Sequence, residues 1–160
     1  MSAFKPKYQY RAGFRINGID AQTVGEECNR ISETVGLTPK TLLDANREEG
    51  TPLHDYFEWR DDVAAEKYRE TQANYIIRSV MIVNEETKEP VKVFHSISVE
   101  GQIEYKNIDT IVKSKDLTEQ MLENAKKELF SFQVKYNALR NYAELSEVFT
   151  SIEKLKEKEN

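Results

Sequence analysis

The side chains best suited to chemistry lie in PLHDYFEWRDD, residues 52–62, which contains one histidine, three aromatic rings and four acidic residues. His54 and Asp55 are the residue types of an acid–base pair, but neighbouring side chains in an extended segment point in opposite directions. A metal site needs several ligands at fixed spacing, and beyond His54 the chain offers only His95 and Cys28 as histidine or cysteine ligands. We therefore predict no catalytic residues, no metal ion and no cofactor.

The aromatic residues of this segment are instead typical of a packed corner between helices. We expect the corner to join a helical pair to a third helix through Leu53, Tyr56, Phe57 and Trp59. His54 or Asp55 would then form a hydrogen bond with a nearby end of the backbone. Where the corner stays exposed, Tyr56 and Trp59 are candidates for contact with a partner protein.

Glu104 and Lys106, within IEYK, share one face if this segment is a strand. Some metal-dependent nucleases use this spacing, together with an aspartate that usually lies on the neighbouring strand. Here the connecting loop carries Glu85, Glu86 and Glu89, and no predicted strand carries an aspartate. An exposed cross-strand charge pair is the ordinary interpretation. Because the sequence also has no phosphate-binding glycine loop, nucleophile elbow or CxxC pair, we predict that the chain is not an enzyme.

Charge is distributed unevenly along the 160 residues, whose net charge is −5. Residues 1–18 contain no acid and carry +4, so the rest of the chain carries −9; the four cations are Lys5, Lys7, Arg11 and Arg15. Such an arm, interleaved with aromatic residues, favours contact with a nucleic acid. An ordinary strand with solvated basic ends accounts for the same charges.

The composition is that of a globular protein, with 39% apolar and 32% charged residues. The single cysteine, Cys28, excludes an internal disulfide bond and fits a reducing compartment. The most apolar window, YIIRSVMIV, is interrupted by Arg78 and is too short to cross a bilayer. We predict a cytoplasmic protein that has no contact with membranes.

Two helices are predicted around Gly36. The first spans residues 21–35, begins after Asp20 and has one apolar stripe of Val24, Cys28, Ile31 and Val35. Gly36 can end this helix in a left-handed conformation. Thr38 and Pro39 are then the N-cap and the first residue of the second helix.

Residues 28–47 match the steric pattern of a DNA-binding helix-turn-helix when they are aligned on Gly36. The expected buried residues are Ile31, Val35, Leu37, Leu42 and Ala45, with the small Ser32 where the helices cross. The second helix would offer Lys40, Thr41, Asn46 and Arg47 to DNA. Its acids Asp44, Glu48 and Glu49 would repel phosphates, so DNA contact and plain helical packing both stay open.

A third helix is predicted over residues 61–78, capped by Asp61 or Asp62, and its expected buried face consists of Val63, Ala64, Tyr68, Thr71 or Gln72, and Tyr75. Strand patterns occupy residues 8–16, with a bend at Gly13, and residues 77–83 and 91–99, which would form a hairpin across a charged loop. QIEY, after Gly101, predicts a further strand.

The last third of the chain is helical in pattern. After a short helix near residues 107–114, an apolar seam begins in a long helix and contains Leu122, Ala125, Leu129, Phe132, Tyr136, Leu139 and Ala143. A change of register then predicts a break near Asn141. Leu129 and Tyr136 would either join copies of the chain into a homo-oligomer or pack within one chain.

Residues 36–80 resemble a segment of small phage and prophage proteins without assigned function, through PLHDYFEW, AAEKYR and IIRSV. The later KYNAL and ELSEVFTSIEKL are similar in layout. The resemblance implies a viral or prophage origin and the cytoplasm of a host cell. It brings no catalytic residues.

We therefore predict an α+β fold with a helical N-terminal half, a central hairpin or small sheet and a C-terminal helix or helical pair. The predicted parts are residues 1–75, 76–106 and 107–160. One functional hypothesis is a phage accessory protein that binds DNA through Lys5, Lys7, Arg11, Arg15, Lys40, Thr41 and Arg47. The alternative is a module that assembles with phage, host or identical chains through Tyr56, Trp59, Leu129 and Tyr136.

Overall fold

The computed structural model describes residues 5–60 and 63–159. Within them the chain forms six α-helices and two small antiparallel sheets, so the predicted α+β class is confirmed. The strands are β1 Lys7–Tyr10, β2 Val80–Val83, β3 Pro90–Lys92, β4 Phe94–Val99 and β5 Gln102–Asn107. The helices are α1 Ala21–Thr34, α2 Pro39–Ala45, α3 Val63–Arg78, α4 Ile108–Val112, α5 Lys115–Lys135 and α6 Ala143–Lys158, with 3-10 turns at His54–Tyr56 and Asn137–Leu139.

The chain divides into two compact units, Met1–Val112 and Lys113–Asn160. The first unit contains both sheets and α1 to α4, and the second contains α5 and α6. This division does not follow the predicted boundaries after residues 75 and 106. The physical reason is that β2 pairs with β1, which ties the central strands to the start of the chain.

Local signals fix both ends of the α1–α2 connection, as predicted. Asp20 caps α1 by accepting a hydrogen bond from the backbone N of Thr23 at 2.8 Å, and Thr38 caps α2 in a capping box. Gly36 has φ +87°, a conformation that favours glycine. The prediction for Val35 was wrong, because this side chain is 70% exposed. It lies past the last turn of α1, whereas Leu37 is fully buried as predicted.

The buried face of α3 is not the predicted one. Tyr68 is 56% exposed, and the buried residues of this helix are Ala65, Arg69, Ala73, Ile76 and Ile77. The prediction followed the spacing of apolar residues, which assigns a basic residue such as Arg69 to the exposed face of the helix. Arg69 is buried because polar groups outside the helix surround its guanidinium. The predicted caps Asp61 and Asp62 lie outside the described residues, and the side chains of Val63 and Ala64 are not described.

The central strands form two sheets rather than one. The predicted hairpin exists as β2 paired with β3, but the second run divides near Val93, and β4 pairs instead with β5, the strand predicted after Gly101. A two-residue turn with positive φ at Glu100 and Gly101 joins β4 to β5. Ile77, predicted at the start of a strand, belongs to the last turn of α3.

The N-terminal strand is shorter than predicted. β1 ends at Tyr10, and residues 11–16 turn away from the sheet, with Gly13 at φ +84°. Tyr8 enters the core at 5% exposure and packs against Gly25 of α1. Burial raises the pKa of the Tyr8 hydroxyl to about 12.

The second unit is an antiparallel helical pair. The predicted break near Asn141 is confirmed by the 3-10 turn Asn137–Leu139 and by the start of α6 at Ala143. Phe132 and Phe149 pack together with ring centroids 5.9 Å apart. The unit therefore folds back on itself at this break.

We predict that Gly25→Ala lowers the free energy of unfolding by about 1–2 kcal/mol, because overpacking outweighs the gain in helix propensity. A Cβ atom at this position would lie 2.1 Å from Cγ of the buried Tyr8 ring. Denaturant unfolding followed by circular dichroism measures the difference.

Glu33→Ala, at an exposed position of the same helix, is the control, and we expect a change of at most about 0.5 kcal/mol. A Gly25→Ala chain as stable as the wild type would contradict the prediction, since the Tyr8 ring would then have moved aside without cost.

Candidate interaction surfaces

The predicted corner between helices is confirmed at residues 53–59. Leu53 is fully buried and Phe57 is 5% exposed. Tyr56 and Trp59 are partly buried and pack against the same core. Because these rings contact their own unit, only their outer edges are available to a partner protein.

His54 is held in this corner by stacking and by the backbone. Its imidazole stacks on the Trp59 indole, with ring centroids 4.7 Å apart and planes 10° apart. Nδ1 of His54 lies 3.0 Å from the backbone O of Asn46, and Nε1 of Trp59 donates to the backbone O of His54 at 2.8 Å. The expected contact of His54 with nearby backbone is therefore confirmed.

The guanidinium of Arg69 connects the corner to α3. The side chain lies over the Trp59 ring, with Cζ 5.1 Å from the ring centroid. Nε donates to the backbone O of Glu58, and Nη2 donates to the backbone O of Arg60 at 3.1 Å. Nη1 also lies 3.4 Å from Oε2 of Glu66, one turn earlier on α3. Sequence reasoning missed Arg69, because no local pattern marks a basic residue whose other partners are backbone carbonyls of a preceding segment.

Glu104 and Lys106 form an ion pair at 3.1 Å along β5, and their side chains are 17% and 21% exposed. The prediction of an exposed cross-strand pair was therefore wrong, because both residues belong to β5 and Glu104 lies close to the α1–α2 turn. A Cβ atom on Gly36 would lie 2.5 Å from Oε2 of Glu104. In residues 5–60 and 63–159, no group of three or more His, Cys, Asp or Glu side chains is arranged to bind a metal.

The helix-turn-helix-like pair packs as predicted apart from Val35, but its turn is covered by β5. The backbone N of Tyr105 donates to the backbone O of Leu37 at 2.6 Å, and Oγ of Ser32 donates to the backbone O of Tyr105 at 3.3 Å. The second helix has only seven residues. It is therefore about 10 Å long, or two turns.

Lys40 of α2 and Arg47, two residues past the end of this helix, are neutralised by acids of the same unit. Lys40 pairs with Asp44 at 2.9 Å, and Arg47 pairs with both Asp44 at 2.8 Å and Glu66. Burial works to raise the pKa of Asp44, but the hydrogen bonds from Lys40 and Arg47 outweigh it and hold that pKa below its ordinary value. With Glu48 also exposed nearby, this face offers phosphates no net positive charge.

Thr41 and Asn46, the remaining polar candidates of this region, serve the fold. Oγ1 of Thr41 donates to the backbone O of Gly36 at 2.6 Å. Asn46 is fully buried: its Nδ2 donates to the backbone O of Leu42 at 2.9 Å, and its Oδ1 accepts from the backbone N of Leu53 at 2.9 Å. Neither side chain is free to contact a base.

The four cations of the N-terminal arm are exposed but differ in their partners. Lys5 pairs with Glu26 of α1 at 3.0 Å. Lys7, Arg11 and Arg15 form no ion pair with any carboxylate among the described residues. Arg11, Arg15 and Lys7 are therefore the predicted nucleic-acid ligands whose charge stays available.

In the second unit, an open groove runs beside the contact between α5 and α6. This hairpin groove is lined by Leu129, Glu147, Val148, Ser151, Ile152 and Leu155. Leu129 and Tyr136, the predicted interface residues, are both 37% exposed, and Tyr136 also packs against Phe132 with ring centroids 5.0 Å apart. Sequence reasoning missed Val148 and Leu155, although their spacing from Ile152 by four and three residues is a helical signal.

We predict that Arg69→Lys lowers the free energy of unfolding by about 2 kcal/mol, because a buried ammonium cannot reproduce the two carbonyl contacts and the stacking of a guanidinium. The Trp59 indole lies in the contact, so its fluorescence reports the unfolding of the corner directly.

Arg60→Lys makes the same chemical change at the residue that follows Trp59, where the side chain is 90% exposed. We expect it to change the free energy of unfolding by no more than about 0.5 kcal/mol. Equal effects of the two substitutions would rule out a special role for the buried guanidinium.

Comparisons with protein-family models, curated proteins and solved structures found no match for this chain. The resemblance of residues 36–80 to phage and prophage proteins thus stays a prediction. No helix in the described part of the chain has both the length and the apolar character needed to span a membrane.

Proposed function

We propose that the chain is an assembly protein without catalytic activity, which self-associates through the hairpin groove. The observation that carries this proposal is the exposure of apolar residues from both helices on one side of their contact. Leu129 is 37% exposed and Val148 is 41% exposed, and both line the groove. Burying such residues between two chains stabilises the complex, because it removes apolar surface from water.

The apolar pattern suits a bundle of four helices. On α5, Leu122, Ala125 and Leu129 follow one another at spacings of three and four. On α6, Val148, Ile152 and Leu155 follow at spacings of four and three. These spacings are those of knobs-into-holes packing, and two helices alone bury only one side of each.

A second copy of this chain is the partner that the charges favour. Residues 113–160 contain nine basic and nine acidic side chains, so this unit is neutral although the whole chain carries −5. Two neutral hairpins approach each other without net repulsion. A twofold axis would also place the same groove of each copy against the other.

DNA binding through α2 has less support than self-association. Lys40 and Arg47 are paired with acids, and Thr41 donates its hydroxyl to the backbone inside the turn. A phage or prophage origin and a cytoplasmic location stay predictions from the sequence.

We predict a dimer, with twice the 18.6 kDa mass of one chain, in size-exclusion chromatography with light scattering. Leu129→Glu combined with Val148→Glu should yield a monomer, because the dimer would bury four unpaired carboxylates. The dissociation constant should rise at least about a hundredfold, or about 2.7 kcal/mol.

Val134→Glu is the matched control, since Val134 is 76% exposed on the same helix. It lies five residues after Leu129, about 140° around the helix, and should leave the dimer intact. Circular dichroism verifies that each variant stays helical. A wild-type monomer at every concentration, or a double variant that stays dimeric, would refute self-association through the groove.

A further inference from the structure

The arm turns sharply after β1 and brings a cation over an aromatic ring. The backbone N of Phe14 donates to the backbone O of Arg11 at 2.9 Å, closing a turn in which Gly13 has φ +84°. The backbone N of Arg11 donates to the backbone O of Ser79 at 2.8 Å, which anchors the turn beside the end of α3. The Arg11 guanidinium then lies over Phe14, with Cζ 5.0 Å from the ring centroid.

The same turn meets a row of tyrosines. Phe14 stacks on Tyr75 with ring centroids 5.1 Å apart, and the hydroxyl of Tyr75 accepts a hydrogen bond from the backbone N of Arg15 at 3.3 Å. Tyr68 lies two turns earlier on α3, about 10 Å along the helix axis, and is 56% exposed.

Tyr68 and Tyr75 lie seven residues apart, which places them on the same face of α3. We name the combined set the arm surface: Arg11, Phe14, Arg15, Tyr68 and Tyr75.

Charge distinguishes the arm surface from the other basic part of this unit. Within the described residues, neither Arg11 nor Arg15 is paired with a carboxylate, whereas Lys40 and Arg47 of the α2 region are. The unit therefore leaves two arginines without a carboxylate partner beside the α3 face on which the Tyr68 ring is exposed. A polyanion with planar groups complements both properties.

We infer that the arm surface binds single-stranded nucleic acid. The two arginines suit phosphates, and the exposed Tyr68 ring suits an unstacked base. In a duplex the faces of the bases are occupied by stacking, so only a single strand uses the Tyr68 ring as well as the charges. This inference does not depend on self-association through the hairpin groove.

The test measures the fluorescence anisotropy of a labelled oligothymidine of about 20 nucleotides, longer than the about 4–16 nucleotides of a typical single-strand site. Arg11→Gln combined with Arg15→Gln should weaken binding at least about tenfold and reduce the slope of log affinity against log salt by about 1.4, which corresponds to two phosphates. Tyr68→Ser should weaken binding about fivefold or more and leave the salt slope unchanged, because it removes stacking but no charge.

Lys40→Gln combined with Arg47→Gln removes the same number of cations from the α2 region and should change the affinity less than about twofold. All variants should keep the oligomeric mass of the wild type, which separates this test from that of the groove. The inference is overturned if the wild type binds no oligothymidine at low salt, if duplex of equal length binds more tightly, or if the two double variants weaken binding equally.

Discussion

The buried amide of Asn46 is the contact on which the organisation of the first unit depends. The amide forms hydrogen bonds with the backbone of Leu42 in α2 and of Leu53 at the start of the corner. The backbone O of Asn46 also lies 3.0 Å from Nδ1 of His54. An unsatisfied buried polar group costs about 1–3 kcal/mol of stability. Loss of the Asn46 amide would leave the backbone groups of both Leu42 and Leu53 without this partner. The end of α2 therefore fixes the direction in which the aromatic corner leaves it, and Arg69 of α3 completes the same packing.

The sequence predicts elements whose signals act over a few residues. Asp20 and Thr38 cap helices through backbone groups three residues away, and Gly36 needs only its own φ, so these boundaries were predictable. The buried face of α3 was not, because it depends on distant groups. Arg69 is buried because the backbone carbonyls of Glu58 and Arg60 accept hydrogen bonds from its guanidinium, whereas Tyr68 is exposed. The spacing of apolar residues predicts neither.

The same distinction applies to the candidate sites. A sequence gives the position of each cation but not its nearest acid. The Lys40–Asp44 pair is visible as helical spacing, yet the contact of Arg47 with Glu66 joins residues nineteen positions apart. Arg11 differs from both because its neighbour in space is an aromatic ring rather than a carboxylate. The structure thus divides one predicted set of basic residues into neutralised and unneutralised members, and this division, rather than the total charge, decides which surface suits a polyanion.

Self-association and strand binding, both proposed here on separate observations, are physically complementary. An arm surface with few free cations has only modest affinity at physiological salt, because binding to single strands weakens with a slope of about −0.7 per phosphate contacted. A dimer would carry two such surfaces, and a strand long enough to reach both would meet the second at a raised effective concentration. Two weak sites would then hold a long strand firmly, whereas a short strand that reaches only one site would dissociate readily. An assembly of this kind needs no long basic recognition helix, which is consistent with the two-turn, charge-paired α2 that the first unit contains.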